Sequence, residues 1–131
     1  MPVPRGEAFT TNQRQELLRA IADAERICGR PFSVYVGRSE GEPRQFAESL
    51  HAQLPNPAHS VLIHVDPTLR RLEIVTGEAL RRTMTNRQVA LAAIDMQAAF
   101  ASGDLVRGLM SGIQQLAELG RSPELLHTDT P

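Results

Sequence analysis

The sequence contains a single cysteine, Cys28, which excludes an intramolecular disulfide and a metal site built from several cysteines. It has no tryptophan and only one tyrosine, so the core has to be built from leucine, isoleucine, valine, alanine and methionine. It also lacks a long apolar run, whereas roughly 20 apolar residues are needed to cross a bilayer. The formal net charge of −1 provides no overall attraction to nucleic acid or to an anionic membrane. We therefore expect neither a nucleic-acid partner nor a membrane span.

The chain length of 131 residues corresponds to one domain with one hydrophobic core. We expect a flexible N-terminal arm over residues 1–8, a single domain over residues 9–120 and a C-terminal tail over residues 121–131. The N-terminal residues lack an apolar signal core, so a cytoplasmic location is expected.

Two helices are predicted in the first half of the chain. Thr10 and Gln13 have the spacing of a capping box, in which each side chain bonds the backbone N–H of the other residue. Apolar residues then recur with a helical period up to Cys28, which places this thiol on the buried face, and Gly29 is positioned to end the helix. Pro43 suits the first turn of a second helix.

Three strands are predicted from alternating, β-prone segments at Phe32–Val36, Ser60–Asp66 and Arg71–Gly77. The last two are joined by residues 67–70, which indicates a hairpin whose turn is closed by the carboxylate of Asp66. In the register set by this loop, one strand face forms the main core face with Ile63, Val65, Leu72 and Ile74. Leu62 and Val75 point to the other face, which predicts at least partial cover there too.

Two more helices are predicted in the second half. Thr85 begins a second capping box, and Asp104 is placed to cap the last helix, which Gly120 ends. Gly108 and Gly112 lie inside this helix, where each glycine costs about 1 kcal/mol relative to alanine. A close backbone approach is the expected compensation, either within the monomer or between copies of the chain.

The predicted order of elements, α-β-α-β-β-α-α, defines the fold class. One β-α-β crossover and one hairpin produce a small mixed β-sheet. We therefore predict an α/β fold in which this sheet is flanked by helices as an α/β/α sandwich.

The most basic part of the chain runs from Arg70 to Arg87, with five arginines against two glutamates. All 14 basic residues of the protein are arginines, whose planar guanidinium groups bind carboxylates or phosphates. Because a helix N-terminus also attracts anions, an anion site is predicted where the third helix begins. Its candidate residues are Arg81, Arg82, Thr85, Asn86 and Arg87. The alternative is that these arginines are solvated or pair with nearby glutamates.

A cleft is expected at the strand ends, next to this basic segment. Ser39, Glu78, Arg81 and Asn86 are expected to border it. His64 and Glu73 lie opposite each other in the predicted register, which allows either a general base held by a carboxylate or a structural cross-strand pair. The cleft candidates are therefore Ser39, Glu78, His64 and Glu73. No metal site and no cofactor site is predicted, because no third ligand lies near the histidines.

Three segments resemble the TPM domain family, named after a thylakoid lumen protein, a photosystem II repair factor and a modulator of acetylcholine receptors. These segments are Ser60–Asp66, Arg71–Gly77 and Gly103–Gly112, within a resemblance that covers Phe9 to Leu119. The chain looks most similar to the uncharacterised actinobacterial branch, described only as a domain of unknown function. The resemblance implies an α/β/α sandwich, and acid phosphatase activity, calcium binding and adaptor-like roles have been ascribed to family members.

Several carboxylates typical of TPM domains are replaced in this chain. The family's Asp-Asn-Gly motif is replaced here by Ala58, His59 and Ser60. Two glutamates of the family are replaced by Val75 and Arg81. Asn86 replaces the aspartate that enters the helix. Calcium binding and metal-assisted phosphoryl hydrolysis both need such oxygen ligands. The resemblance therefore does not carry either activity over to this chain.

Three functions are consistent with these residues. The favoured one is a non-catalytic module that binds a protein or peptide partner, without a cofactor. The second is a phosphate-binding protein or degenerate, metal-independent phosphatase that holds phosphate through arginines, the one enzyme class that the resemblance leaves open. The third is a structural subunit that oligomerises through Gly108 and Gly112.

Overall fold

The computed structural model describes residues 9–121, so the predicted N-terminal arm and the tail beyond Arg121 lie outside the described residues. Helix α1 (Thr11–Cys28) begins at the predicted capping box. Thr10 Oγ1 accepts a hydrogen bond from Gln13 N at 3.1 Å, and Gln13 Oε1 accepts one from Thr10 N at 3.0 Å. Gly29 ends the helix in the left-handed conformation, with φ 71°. Both ends of α1 were therefore predicted correctly.

We expect Thr10→Ala to lower the free energy of unfolding by about 1 kcal/mol, because Gln13 N–H loses its acceptor. Thr11 is the matched control, since it is exposed in the first helical position and makes no capping bond. Thr11→Ala should stay within about 0.5 kcal/mol of the wild type. Urea unfolding followed by circular dichroism measures both values, and equal losses in the two variants would argue against the capping role.

The sheet contains β1 (Phe32–Val36), β2 (Val61–Asp66) and β3 (Arg71–Thr76) in the order β1-β2-β3. β1 and β2 are parallel and are connected through α2 (Pro43–Ala52), whereas β2 and β3 form the predicted antiparallel hairpin.

The register of the hairpin confirms the prediction. Asp66 lies opposite Arg71 and His64 lies opposite Glu73. The paired strands are one residue shorter than predicted at the end opposite the hairpin, although Gly77 N still donates to the carbonyl oxygen of Ser60 at 2.9 Å. A four-residue loop thus set the alignment of both strands.

Helices cover both faces of the sheet. The predicted core face packs into the main hydrophobic core together with residues of α1, α3 (Asn86–Ala101) and α4 (Leu105–Leu119). The opposite face lies under α2, where Leu62 and Val75 are also buried. The α/β class and the order of the elements are therefore confirmed. Two short 3-10 helices, Pro57–His59 and Glu78–Leu80, were not predicted.

The starts of α3 and α4 differ in how they are capped. Thr85 forms the predicted capping box, with its Oγ1 accepting from Gln88 N at 3.2 Å. Asp104 occupies the N-cap position of α4 as predicted, but its side chain makes no capping hydrogen bond. Instead the Asp104 carboxylate lies 3.3 Å from Arg107 Nε, so an ion pair one turn away replaces the expected bond to the backbone.

The glycines of α4 allow it to pack closely against α3. A Cβ atom at Gly108 would overlap the Cβ of Ala99, and one at Gly112 would overlap the side chain of Met96. Met96 is itself fully buried in the core. The close approach expected from these glycines is therefore present within the monomer.

Cys28 lies on the buried face of α1, as predicted. Burial raises the pKa of the Cys28 thiol above its usual range, and Sγ makes a weak hydrogen bond to the carbonyl oxygen of Arg30. The thiol therefore behaves as a small core side chain rather than as a ready nucleophile.

Candidate functional site

Asp66 links the hairpin to the loop that follows β1. Its Oδ1 accepts hydrogen bonds from Thr68 N at 2.9 Å and Leu69 N at 3.0 Å, and its Oδ2 accepts one from Ser39 N at 2.8 Å. The predicted turn-closing role is therefore confirmed. Burial by itself would raise the pKa of Asp66, but the hydrogen bonds from Leu69, Ser39 and Thr68 hold the pKa below its usual range. Its carboxylate is thus a structural anion that is fully used by backbone donors.

His64 is buried between α2 and the sheet and does not pair with Glu73. Its Nε2 lies 2.8 Å from the carbonyl oxygen of Gly37, which can only accept, so Nε2 carries the proton. The rings of Tyr35 and Phe46 pack at 5.5 and 5.2 Å from its ring. The general-base arrangement considered for His64 and Glu73 is not formed.

A second buried histidine was not singled out by the sequence. His51 lies in α2, and its Nε2 is 2.9 Å from the carbonyl oxygen of Ser60, the residue before β2. A histidine in the middle of an amphipathic helix gives no local signal for such a long-range bond. His51 thus attaches α2 to the start of β2, whereas the hydrogen bond of His64 joins β2 to the loop after β1.

Two grooves run beside the outer edge of β3. The first, of about 320 Å³, separates β3 from α3, and its lining includes Leu72, Glu73, Ile74, Asn86, Ala90, Ala93 and Ile94. The second, of about 430 Å³, lies beside α2 and the end of β3, and its lining includes Glu48, His51, Pro57, Ala58, Val75, Gly77 and Glu78. Arg44, Thr76 and Arg81 line both grooves. We call the two grooves together the β3 edge cleft.

Arg44 is the residue of this cleft that the sequence analysis missed. Its Nη1 donates to the carbonyl oxygen of Ile74 at 2.7 Å, and its Nε donates to Glu48 Oε2 at 3.0 Å. Glu73 also lies 3.5 Å from Arg44 Nη1 and 3.1 Å from Arg71 Nη2. Arg44 is 30 positions away from Ile74 in the chain, so no local pattern could have indicated the contact.

Arg81 is the predicted arginine that reaches the cleft. Its side chain is exposed and makes no ion pair or hydrogen bond with any residue between 9 and 121. The alternative to an anion site was that this arginine is solvated or pairs with a nearby glutamate. Arg81 is solvated and does not pair with Glu73 or Glu78, since Glu73 binds Arg44 and Arg71 instead. A guanidinium group without a carboxylate partner among residues 9–121 therefore lines both grooves.

The other anion-site candidates are placed differently. Asn86 lines the groove beside α3. Arg82 and Arg87 are exposed, but they line neither groove. Thr85 uses its hydroxyl group to cap α3. The structure thus brings together Arg81 and Asn86 but not all five candidates.

The cleft candidates are split between the two ends of the sheet. Glu73 and Glu78 line the β3 edge cleft. Ser39 follows β1 and binds Asp66 at the hairpin end, whereas Glu78 follows β3 at the other end. Since β2 and β3 run antiparallel, a full strand length separates Ser39 from Glu78.

Residues 9–121 contain neither a candidate metal-binding cluster nor a candidate membrane-spanning helix. Within residues 9–121, no three His, Cys, Asp or Glu side chains are grouped so that they could hold a metal ion together. None of the helices in this range combines the length and apolar character of a membrane-spanning helix.

The family model described as "Domain of unknown function (DUF5130)" matches residues 3–117. The chain belongs to the DUF5130 family. This DUF5130 chain is 29% identical over 98 residues to the uncharacterized proteins MT2543 and Rv2468c from two strains of Mycobacterium tuberculosis. The match covers 75% of this chain but only 59% of those relatives.

Solved structures share the fold of this DUF5130 domain. The BA42 protein of Bizionia argentinensis superposes with a TM-score of 0.79 at 20% identity, over 88% of this chain and 83% of BA42. An N-terminal domain from P. gingivalis has a TM-score of 0.72 at 17% identity, over 85% of this chain and 75% of that domain. The N-terminal domain of cg2496 from Corynebacterium glutamicum has a TM-score of 0.70 at 14% identity, over 97% and 86% of the two chains. At identities of 14 to 20%, these similarities show a shared fold and nothing further.

Proposed function

We propose that this DUF5130 domain is a non-catalytic binding module whose β3 edge cleft holds an acidic segment of a partner protein. The observation that carries the proposal is the exposed Arg81 guanidinium group, which lines both grooves and has no carboxylate partner within residues 9–121. The planar fork of a guanidinium group can engage both oxygen atoms of a carboxylate at once, which makes this pair stronger and more directional than one with a point charge.

The preference of the cleft for an anion rests on Arg81. The two grooves are lined by Arg44 and Arg81 and by Glu48, Glu73 and Glu78, and the charge of Arg44 is shared with Glu48 and Glu73. Arg71 also contacts Glu73, so the carboxylate of Glu73 is already neutralised. A carboxylate arriving from a partner would therefore meet the free charge of Arg81 without strong repulsion from Glu73.

Two of the three side chains suited to acid–base chemistry are withdrawn from the cleft. His64 and Asp66 are buried and bond backbone groups, whereas His51 lines the groove beside α2 with its Nε2 at the carbonyl oxygen of Ser60. A general acid or base has to face the substrate. The resemblance to TPM domains is in line with this proposal, because adaptor-like roles are among those ascribed to that family.

Fluorescence polarisation with a labelled peptide tests the proposal. The probe alternates valine and glutamate over about seven residues, and a matched peptide carries glutamine in place of glutamate. We expect the wild-type domain to bind the glutamate peptide about 10-fold more tightly than the glutamine peptide. Arg81→Glu should abolish this preference, because the guanidinium group that selects the carboxylate becomes a repelling carboxylate.

Arg82→Glu is the matched control. It changes the net charge by the same amount one residue away, but Arg82 lines neither groove. An equal loss in Arg82→Glu would show general charge attraction and would overturn the cleft assignment. Hydrolysis of p-nitrophenyl phosphate that Arg81→Ala abolishes would instead establish the alternative phosphatase function.

A further inference from the structure

β3 forms an open edge of the sheet. In the strand order β1-β2-β3, one side of β3 pairs with β2, and no strand of the described residues 9–121 pairs with the other side. Gly77 N donates to the carbonyl oxygen of Ser60, so odd-numbered residues of β3 direct their backbone groups toward β2. Leu72, Ile74 and Thr76 therefore direct their N–H and C=O groups outward, along the β3 edge cleft.

Arg44 occupies one position of this open edge. Its Nη1 donates to the carbonyl oxygen of Ile74 at 2.7 Å, in the place where a neighbouring strand would present a backbone N–H group. Exposed strand edges attract additional strands, and a charged side chain on the edge is a common means of preventing unwanted pairing. The guanidinium group of Arg44 thus satisfies an acceptor that an added strand could satisfy equally well.

The walls of the cleft suit the alternating side chains of an extended segment. On the α3 side, Ala90 and Ala93 are small, and Ile94 is a large apolar residue that is 62% exposed. On the other side, Arg44 and Arg81 are cationic. Successive side chains of a strand point to opposite faces, so an added strand would place every second residue on the apolar wall and the others near the arginines.

We infer that the acidic partner segment binds as a fourth strand, paired with the outer edge of β3. This inference rests on the proposed function and specifies how the segment is held. A backbone N–H of the segment replaces Arg44 Nη1 at the carbonyl oxygen of Ile74. Arg44 keeps its ion pairs with Glu48 and Glu73, and Arg81 binds a carboxylate of the same segment. Main-chain hydrogen bonds provide the affinity, and the arginines together with Ile94 provide the sequence preference.

Backbone methylation of the valine–glutamate peptide tests this inference with the 131-residue chain. N-methylating the residues whose N–H groups face β3 should weaken binding by at least about 10-fold, because the donors are lost and the methyl groups collide with the edge. N-methylating the alternate residues, whose N–H groups point away, should leave binding nearly unchanged. Both methylated peptides keep the same charge and the same side chains, so each serves as the control for the other.

Amide hydrogen exchange provides a second measurement. With saturating peptide, we expect exchange to slow by about 10-fold at the N–H groups of Ile74 and Thr76, while those of Glu73 and Val75, which already face β2, change less.

If the peptide binds with the expected dependence on Arg81 but both methylated series bind alike, strand addition is wrong and the proposed function stands. If Arg81→Glu leaves the glutamate preference intact, the proposed function and the strand addition are both overturned.

Discussion

Gly77→Ala is expected to lower the free energy of unfolding by about 3 kcal/mol, the upper end of the cost of inserting a methyl group into a packed site. A Cβ atom at Gly77 would overlap the carbonyl oxygen atoms of Pro57 and Ala58. These are backbone atoms, so the overlap cannot be relieved by rotating a side chain. The φ angle of Gly77 is −67°, an ordinary value for any residue, so the cost is a steric one.

The consequences of Gly77→Ala should reach the cleft. Gly77 and Ala58 both line the groove beside α2, and Gly77 N bonds the carbonyl oxygen of Ser60. The added methyl group would push the 3-10 helix Pro57–His59 away from the start of Glu78–Leu80. We therefore expect weaker peptide binding as well as lower stability. Ala79→Gly, at an exposed position two residues away, is the control and should cost less than about 1 kcal/mol. Urea unfolding measures both changes, and wild-type stability of Gly77→Ala would disprove the close contact.

Asp66→Asn is expected to lower the free energy of unfolding at neutral pH by about 3 kcal/mol. The carboxylate of Asp66 is 1% exposed and accepts three backbone hydrogen bonds through its two oxygen atoms. An asparagine side chain retains one acceptor oxygen and directs an NH2 group toward the remaining donors. The loop after β1 would then lose its attachment to the hairpin.

The loss in Asp66→Asn should depend on pH in one direction. The pKa of Asp66 in the folded protein lies below that of an unfolded aspartate, which is about 3.9. The stabilising contribution of this carboxylate is therefore fully present above the unfolded pKa and is lost as the pH falls through the folded pKa. The stability difference between the wild type and Asp66→Asn should be constant above about pH 5 and should shrink below about pH 4.

Asp95→Asn is the control for this experiment, because Asp95 is exposed on α3. Its stability should stay within about 0.5 kcal/mol of the wild type at every pH. Urea unfolding at intervals from pH 3 to pH 7 measures the three proteins. A difference between the wild type and Asp66→Asn that widens toward low pH would contradict the assigned state of the carboxylate.

The elements of this fold were predictable because their signals are local. The capping boxes at Thr10 and Thr85 join residues three positions apart, and both form as predicted. Loop 67–70 sets the hairpin register for the same reason, since four residues leave few ways to align the strands. The capping prediction at Asp104 was only partly correct. Asp104 is the N-cap residue of α4, but its carboxylate pairs with Arg107 and makes no bond to the helix backbone.

The candidate site was only partly predictable. The basic segment pointed to Arg81, which does line the cleft. The predicted register places His64 opposite Glu73, but their side chains do not pair, because the register does not determine which way a ring turns or which partner a carboxylate binds. His64 turns toward Gly37, and Glu73 turns toward Arg44 and Arg71.

Within residues 9–121, the four α-helices, the three strands and the register of the β2–β3 hairpin could be predicted from the sequence, as could the arginine-rich segment that ends at Arg87. These features follow from residue spacing and from interactions within a few positions of the chain. Three features required the packed fold: Arg44 reaches Ile74, Ser39 and Glu78 lie at opposite ends of the sheet, and the outer edge of β3 is unpaired by any strand of residues 9–121. Such contacts join residues far apart in the chain, and they form only when the helices pack on the sheet and bring those residues together.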